Sequence, residues 1–357
     1  MAGYILQKLG YALLTLFGVV TVIFFLFTIL PGDPARMMLG QNESAEQIAV
    51  VKKKYGFDKP VGLQYVYYLN DLSPVSFHST KDDDYTFLSE GKYNAASLFT
   101  IGNTTVVLKT PYLRESFQKN GKKVSKVIAE TLPNTVVLAV SAIIIAMVLG
   151  VLLGIVSVLF KDRWVDKLIQ LVSTLGMSVP SFFSAILFAW LFGFVLHEYT
   201  NLNMTGSLYY VDDFGEGTHI QWKNLILPAL VLGIRPLAVV SQLMRNSLLE
   251  VLNQDYIRTA KAKGLSFATI IRKHALKNSL NPVVTAISGW FASMLAGAVF
   301  VEYIFGWNGL GKEIVDALNT LDLPIIMGAV LIIAIVFIVI NILVDIIYGW
   351  LDPKIST

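Results

Sequence analysis

Cysteine is absent from the 357 residues, which excludes disulfides and thiolate metal sites. Histidine occurs only four times, as His78, His197, His219 and His274. None lies in the core of an apolar run, which argues against a nucleophile and base facing each other inside a bilayer. Charge is scarce too: Asp, Glu, Lys and Arg make up 15% of the chain, and mean hydropathy is +0.62. That balance is far too apolar for a soluble globular protein. The formal net charge of +3 is too small to point to nucleic acid. Carboxylates are essentially missing from the apolar runs. This counts against a stand-alone ion- or proton-coupled carrier, which would want acids near mid-membrane.

What is present in excess is long apolar sequence. Residues 9–30, 134–160, 168–196, 279–301 and 323–344 carry no charge, and 224–244 is interrupted only by Arg235. Each is long enough to cross a hydrocarbon core as a helix of about 20 residues, and in lipid only helices satisfy the backbone over such runs. The expected fold is an all-α polytopic membrane protein with six transmembrane helices. The first run is too long for a signal-peptide core and lacks a small-x-small cleavage pattern. It ends at Pro31-Gly32-Asp33-Pro34, where a helix cannot continue.

Lys and Arg mark the cytoplasmic loops. The loop 161–167 contains Lys161, Arg163 and Lys167; the next basic loop contains Arg245, Arg258, Lys261, Lys263, Arg272, Lys273 and Lys277. Loops 197–223 and 302–322 are acidic by comparison, through Glu198, Asp212, Asp213 and Glu216 in the first. Both termini are therefore expected in the cytoplasm, with Lys8 and Lys354 beside the first and last helices. The organisation follows: 1–30, N-terminus and first helix; 31–130, a small extracytoplasmic domain of helix with some strand; 131–350, the membrane domain with a cytoplasmic loop at 245–282; 351–357, a cytoplasmic tail. Within the outer domain a helix is expected over 45–55 and a strand over 99–109 (FTIGNTTVVLK), while Asp82-Asp83-Asp84 reads as a solvated tip.

The basic loop holds the most informative stretch: Asp255-Tyr256-Ile257-Arg258-Thr259-Ala260-Lys261-Ala262-Lys263-Gly264-Leu265. Asp255 suits an N-cap, and Gly264 suits the left-handed residue that ends a helix. Ala260 and Ala262 are small enough for another surface to approach the backbone. A second helix starts at Ser266, placing Phe267, Ile270, Ile271 and His274 at i, i+3, i+4 and i+7 on one face. Neither a carboxylate nor a second histidine lies at ligand spacing from His274, so support outweighs metal binding there.

This stretch, followed by His274-Ala275-Leu276-Lys277-Asn278 and Pro282, resembles the inner-membrane permease subunits of bacterial ABC importers, in the branch that handles dipeptides, oligopeptides and nickel. Other landmarks agree in order: Pro31-Gly32-Asp33-Pro34, Thr131-Leu132-Pro133-Asn134-Thr135, Ser178-Val179-Pro180-Ser181-Phe182 and Leu351-Asp352-Pro353-Lys354. Residues 73–110 look longer than the family's loop. The resemblance implies that 255–265 is a coupling helix seated in a separate ATPase subunit, braced by Phe267, Ile270, Ile271 and His274. Arg258, Lys261 and Lys263 would meet acceptors there, at about 0–1 kcal/mol per exposed pair. It further implies a second permease, two ATPase subunits, an extracytoplasmic binding protein and location in the bacterial inner membrane. The chain itself would have no catalytic residue and no cofactor; ATP and magnesium would be used by the ATPases. Peptide is the default substrate, with nickel and glutathione open.

Three features bear on the route through the membrane. Pro180, with Ser178, Ser181 and Ser184 near it, would bend the third span, either to line the route or as an ordinary kink. Arg235, followed by Pro236 where the helix could break, is expected to face a cavity or a partner. It could meet a peptide carboxylate or a structural acid. Glu302 could contact substrate or binding protein, or be a solvated interfacial acid. Gly150 and Gly154, spaced as GxxxG, mark a close helix contact. Finally, Gly306-Trp307-Asn308-Gly309-Leu310-Gly311-Lys312-Glu313 fits a phosphate-loop pattern until Glu313 stands where Ser or Thr is needed. A Gly-rich packing turn is the better account.

Overall fold

The computed structural model describes residues 2–29, 33–39, 44–89, 91–211 and 217–351. Pro31 and Gly32 of the first landmark, the acids Asp212, Asp213 and Glu216, and the tail with Asp352, Pro353 and Lys354 lie outside the described residues. In chain order the elements are α1 (Ala2–Ile29), α2 (Pro34–Leu39), α3 (Ala45–Tyr55), α4 (Val61–Leu72), β1 (Val75–Ser79), β2 (Ala95–Ile101), β3 (Thr104–Lys109), α5 (Val124–Leu159), α6 (Trp164–Ser178) and α7 (Ser181–Trp190). Then follow α8 (His197–Thr200), β4 (Tyr209–Val211), β5 (Thr218–Ile220), α9 (Lys223–Val251), α10 (Asp255–Ala262), α11 (Phe267–Ile270), α12 (Leu276–Ser279), α13 (Asn281–Phe305), α14 (Leu310–Thr320) and α15 (Leu323–Leu351).

Among the described residues, four helices are long and apolar enough to cross a membrane: Gly10–Thr28, Val124–Leu159, Lys223–Val251 and Leu323–Val344. The third expected span is not one rod. It divides into α6 and α7, bent by 112°. Pro180 is the reason: it has no N–H to continue the ladder of α6, and it sits as the N-cap of α7. Counting the bent pair as one span gives five. The remaining run, 279–301, falls largely within the 25-residue α13. Pro236, by contrast, does not break α9; both it and Pro228 lie inside a continuous helix.

The contacts divide the chain into two compact units. The second unit comprises Ala2–Glu130 and Asp316–Ala334. Its α3 matches the expected helix because Ser44 caps it: Ser44 Oγ accepts from the Gln47 amide at 3.2 Å, and Gln47 Oε1 accepts from the Ser44 amide at 3.1 Å. Gly56 then ends it at φ 71°. The single strand expected over 99–109 is instead a hairpin. Gly102, at φ 59°, and Asn103 turn β2 into β3 so that Ile101 faces Thr104. The sheet order is β1-β3-β2, antiparallel throughout. Close to this sheet the buried Asp71 accepts from Arg114 Nε at 3.0 Å and from the Tyr85 hydroxyl at 2.8 Å. Asp82, Asp83 and Asp84 are exposed, and Asp84 accepts from Ser79 Oγ at 2.6 Å.

The first unit comprises Thr131–Val315 and the segment from Ile335 onward. One of its cores joins α5 (Leu138, Ala139, Ala142), α7 (Ala185, Ala189), α9 (Leu227, Val231) and α13 (Ala298, Val301, Phe305). The GxxxG expectation holds, and its partner is α9. A methyl added at Gly154 would lie 2.6 Å from Met244 Cβ and 2.8 Å from the Ser241 carbonyl; one at Gly150 would lie 2.7 Å from Val240 Cγ1. The backbones approach too closely for any side chain. Elsewhere on this unit, Leu171, Leu175 and Phe194 are more than half exposed, as suits a surface that meets lipid or another membrane chain.

Candidate functional site

The basic stretch forms α10, a two-turn helix with one face held and one face free. Ile257 and Ala260 are buried, and with Ile270 and Ala275 they pack on Val240, Met244 and Leu248 of α9, Val158 of α5 and Val283 of α13. Asp255, Tyr256, Arg258, Thr259, Lys261, Ala262, Lys263, Gly264 and Leu265 are exposed. The free face is therefore continuous and basic, while its underside is anchored in the helical core. Ala262 fulfils the expected small, accessible position. Ala260 does not: its methyl group closes the internal core.

Two local details differ from the expectation. The N-cap is Gln254, in extended backbone, and Asp255 stands in the first turn. There its carboxylate opposes the free N–H groups of the helix start and accepts from Arg258 Nη1 at 3.3 Å. The C-terminal end is as expected. Gly264 adopts φ 77°, its amide donates to the Lys261 carbonyl at 2.9 Å, and the Leu265 amide reaches back to the Ala260 carbonyl at 3.4 Å. No atom lies within 4 Å of the position a Cβ on Gly264 would take, so only backbone conformation demands glycine here.

Ser266 does start the second helix, its Oγ accepting from the Thr269 amide at 3.4 Å. The bracing face departs from an i+7 pattern, however. Ile270 and Ile271 are buried, but Phe267 and His274 are exposed, and Ala275 is buried in place of His274. The cause is a π-helical stretch at Ile271–Ala275, in which the Leu276 amide donates to the Ile271 carbonyl. The wider turn inserts one residue and shifts the inward face by one position. Phe267 and His274 therefore join the exposed surface. Asn278 ties this segment to α10 by donating from Nδ2 to the Tyr256 hydroxyl at 2.8 Å.

Of the residues expected along a route, Ser181 and Arg235 line one small cavity of about 80 Å³ together with Ser184, Trp290 and Ser293. Arg235 is exposed. Ser178 and Pro180 are exposed at the α6–α7 break, where Ser178 Oγ donates to the Thr174 carbonyl at 2.9 Å. Glu302 is elsewhere. It is fully buried, which corrects the picture of a solvated acid or a route-facing one. Its Oε2 accepts from the Gly311 amide at 2.7 Å and the Lys312 amide at 3.1 Å.

That contact explains the phosphate-loop look-alike. The turn does cradle an acidic oxygen, but that oxygen belongs to the chain's own Glu302 carboxyl group. A Cβ at Gly309 would come within 2.4 Å of Glu302 Oε2, and one at Gly311 within 2.6 Å of Val299 Cα, so these glycines are required by close approach. The landmark at Asn134 and Thr135 completes the site: Trp307 Nε1 donates to the Asn134 carbonyl at 3.0 Å, Asn134 Nδ2 donates to the Asn308 carbonyl at 2.7 Å, and Thr135 Oγ1 accepts from the Leu310 amide at 2.8 Å. In the sequence these segments stand as separate landmarks; nothing in their spacing, over 170 residues apart, announces that they pair.

Residues 146–357 match the family described as binding-protein-dependent transport system inner membrane component, and residues 1–82 match its N-terminal counterpart. The two matches leave 83–145 between them. The dipeptide transport system permease protein DppB of Alkalihalophilus pseudofirmus is 32% identical, with 100% of each chain covered. The glutathione transport system permease protein GsiC of Salmonella typhimurium is 30% identical, with 99% of each covered. Among solved structures, an inward facing MetNI methionine ABC transporter is similar with a TM-score of 0.48 at 14% identity, covering 64% of this chain and 97% of that one. By the family and full-length sequence matches, the chain belongs to the binding-protein-dependent transport system inner membrane components, as a multi-pass permease subunit of an ABC importer in the dipeptide and oligopeptide branch.

Proposed function

We propose that the chain forms half of a translocation route for short peptides, working by alternating access with a second permease of the same kind. In this reading six helices span the inner membrane and both termini are cytoplasmic. Two ATPase subunits supply the ATP and magnesium chemistry; this chain supplies no catalytic group. The face Asp255, Tyr256, Arg258, Thr259, Lys261, Ala262, Lys263, Gly264 and Leu265 seats in an ATPase groove, with Phe267 and His274 at its edge. Ser178, Pro180, Ser181 and Arg235 stand along the route. Residues 34–130, including the longer segment 73–110, offer the outer surface for the binding protein. The names of the relatives support peptide first and glutathione second.

The observation that carries this reading is the two-sidedness of α10: an apolar face locked into the helical core and a basic face open to a partner. A solvated loop has no need of the first. The test is Gly264→Asp in the full importer. A Cβ at φ 77° strains the turn, and the carboxylate would project from the docking face. Insertion into the membrane is expected to persist, while ATPase co-purification and peptide uptake fall. Full uptake with normal co-purification would remove the docking assignment.

A further inference from the structure

Beside the core that holds α10 lies a polar cluster with no part in docking or in the route. Arg245 of α9 donates from Nε to Asp166 Oδ1 and from Nη2 to Asp166 Oδ2, each at 2.8 Å. The same carboxylate accepts from Ser157 Oγ on α5, from Gln170 Nε2 on α6 at 3.0 Å, and from the Asp162 amide at 3.0 Å. Asp166 is 2% exposed and Arg245 16%. One buried carboxylate thus joins the end of α5, the start of α6 and the last third of α9.

The placement matters because of what continues from each segment. Arg245 follows Met244, and Met244 and Leu248 are fully buried against Ile257 and Ala260 of α10. The same stretch of α9 therefore holds the docking helix on one side and the carboxylate on another. Asp166 sits in the first turn of α6, and α6 runs to Ser178, at the Val179-Pro180 break. Apolar burial is non-directional, so it holds the helices close without itself fixing their orientation. A planar guanidinium clasping a carboxylate with two parallel bonds fixes orientation as well as distance.

We infer that Asp166 and Arg245 are a positioning pair that makes the docking helix and α6 move as one body, so that displacement at α10 reaches the break at Pro180. This rests on the importer function proposed above. Neither residue touches substrate or nucleotide in it; each acts by holding the lever.

The absence of cysteine from the chain means that introduced cysteines are the only thiols this chain offers, so it is labelled before assembly with its partner subunits. The reconstituted importer carries spin labels at Asn253→Cys and Thr174→Cys, both exposed positions. It is compared with and without Arg245→Lys, which keeps the charge but loses the two-pronged geometry. The expected result is normal assembly, near-normal ATP hydrolysis, a fall of roughly five-fold in peptide moved per ATP, and a broadened label-to-label distance distribution. An unchanged ratio and width would overturn the inference. So would parallel losses of hydrolysis and uptake at constant ratio with unchanged width, which would indicate simple destabilisation. If the lysine variant does not assemble, the isosteric Asp166→Asn carries the same two readouts, and wild-type values for both would overturn it equally. The distance width needs no substrate. Failure of the peptide reading would show as no uptake by the unsubstituted complex, while the width would still report on the pair.

Discussion

Replacing Glu302 by glutamine and by alanine separates a packing role from a transport role. The carboxylate accepts two backbone N–H groups, and among the described residues its buried Oε1 has no hydrogen-bond partner. Neither substituted side chain is charged, so any cost of burying a charge at this position is absent from both variants and cancels in the comparison. Glutamine keeps an acceptor for Gly311 and Lys312. Charge-assisted bonds are about twice as strong as neutral ones, so the loss is about 1 kcal/mol per bond, offset by the relieved charge. Alanine removes the acceptor that the Gly311 and Lys312 amides share, at about 1–3 kcal/mol each, and opens a cavity next to Gly309. The expected gap is therefore about 2–6 kcal/mol, with glutamine near wild type and alanine far below it. Unfolding midpoints of the purified importer in one detergent, with peptide uptake measured in parallel, give both readouts. Equal stability of the two variants would refute the cradle. A stable glutamine variant that has lost uptake would return the carboxylate's charge to the route.

Gly154→Ala should destabilise by about 1–3 kcal/mol through overpacking against Met244, whereas Gly289→Ala, with nothing within 4 Å of the added carbon, should not; equal melting temperatures would deny the close α5–α9 approach. In the second unit, burial pushes the His78 imidazole below its usual value, partly countered by its bond to the Thr86 carbonyl. The folded state therefore holds it neutral, and its stability is complete above the unfolded value of about 6.5 and declines as pH falls below that. His78→Gln should flatten the dependence of the unfolding midpoint between about pH 7.5 and 5.5, and an unchanged slope would show that other groups govern it.

Legibility in the sequence followed the range of the interactions. The helix α3 with its Ser44 and Gln47 box, the turn at Gly264 and the start at Ser266 all depend on residues within a turn of one another, and each stands where it was expected. Near misses arose where a local signal was present but outweighed. Gly102-Asn103 is visible inside the Thr- and Val-rich stretch, and its turn divides the strand into a hairpin. The helical spacing of Phe267, Ile270, Ile271 and His274 is real, but one π turn moves Ala275 into the core instead of His274. In that turn Ala275 packs in one core with Met244 and Leu248 of α9 and Val283 of α13, contacts that lie outside any local pattern.

The sequence by itself determined that this is a helical membrane protein with a short, basic, helical segment at 255–265, because hydrophobicity, charge placement and capping act over a few residues at a time. Only the tertiary structure decided which face of that segment is free, that Gly306–Glu313 closes on Glu302 and not on a phosphate, and that Asp166 meets Arg245. The first depends on Ile257 and Ala260 packing with Met244 and Leu248, and the other two on groups 9, 10 and 79 positions apart coming within hydrogen-bonding distance; proximity in space is what composition and periodicity do not carry.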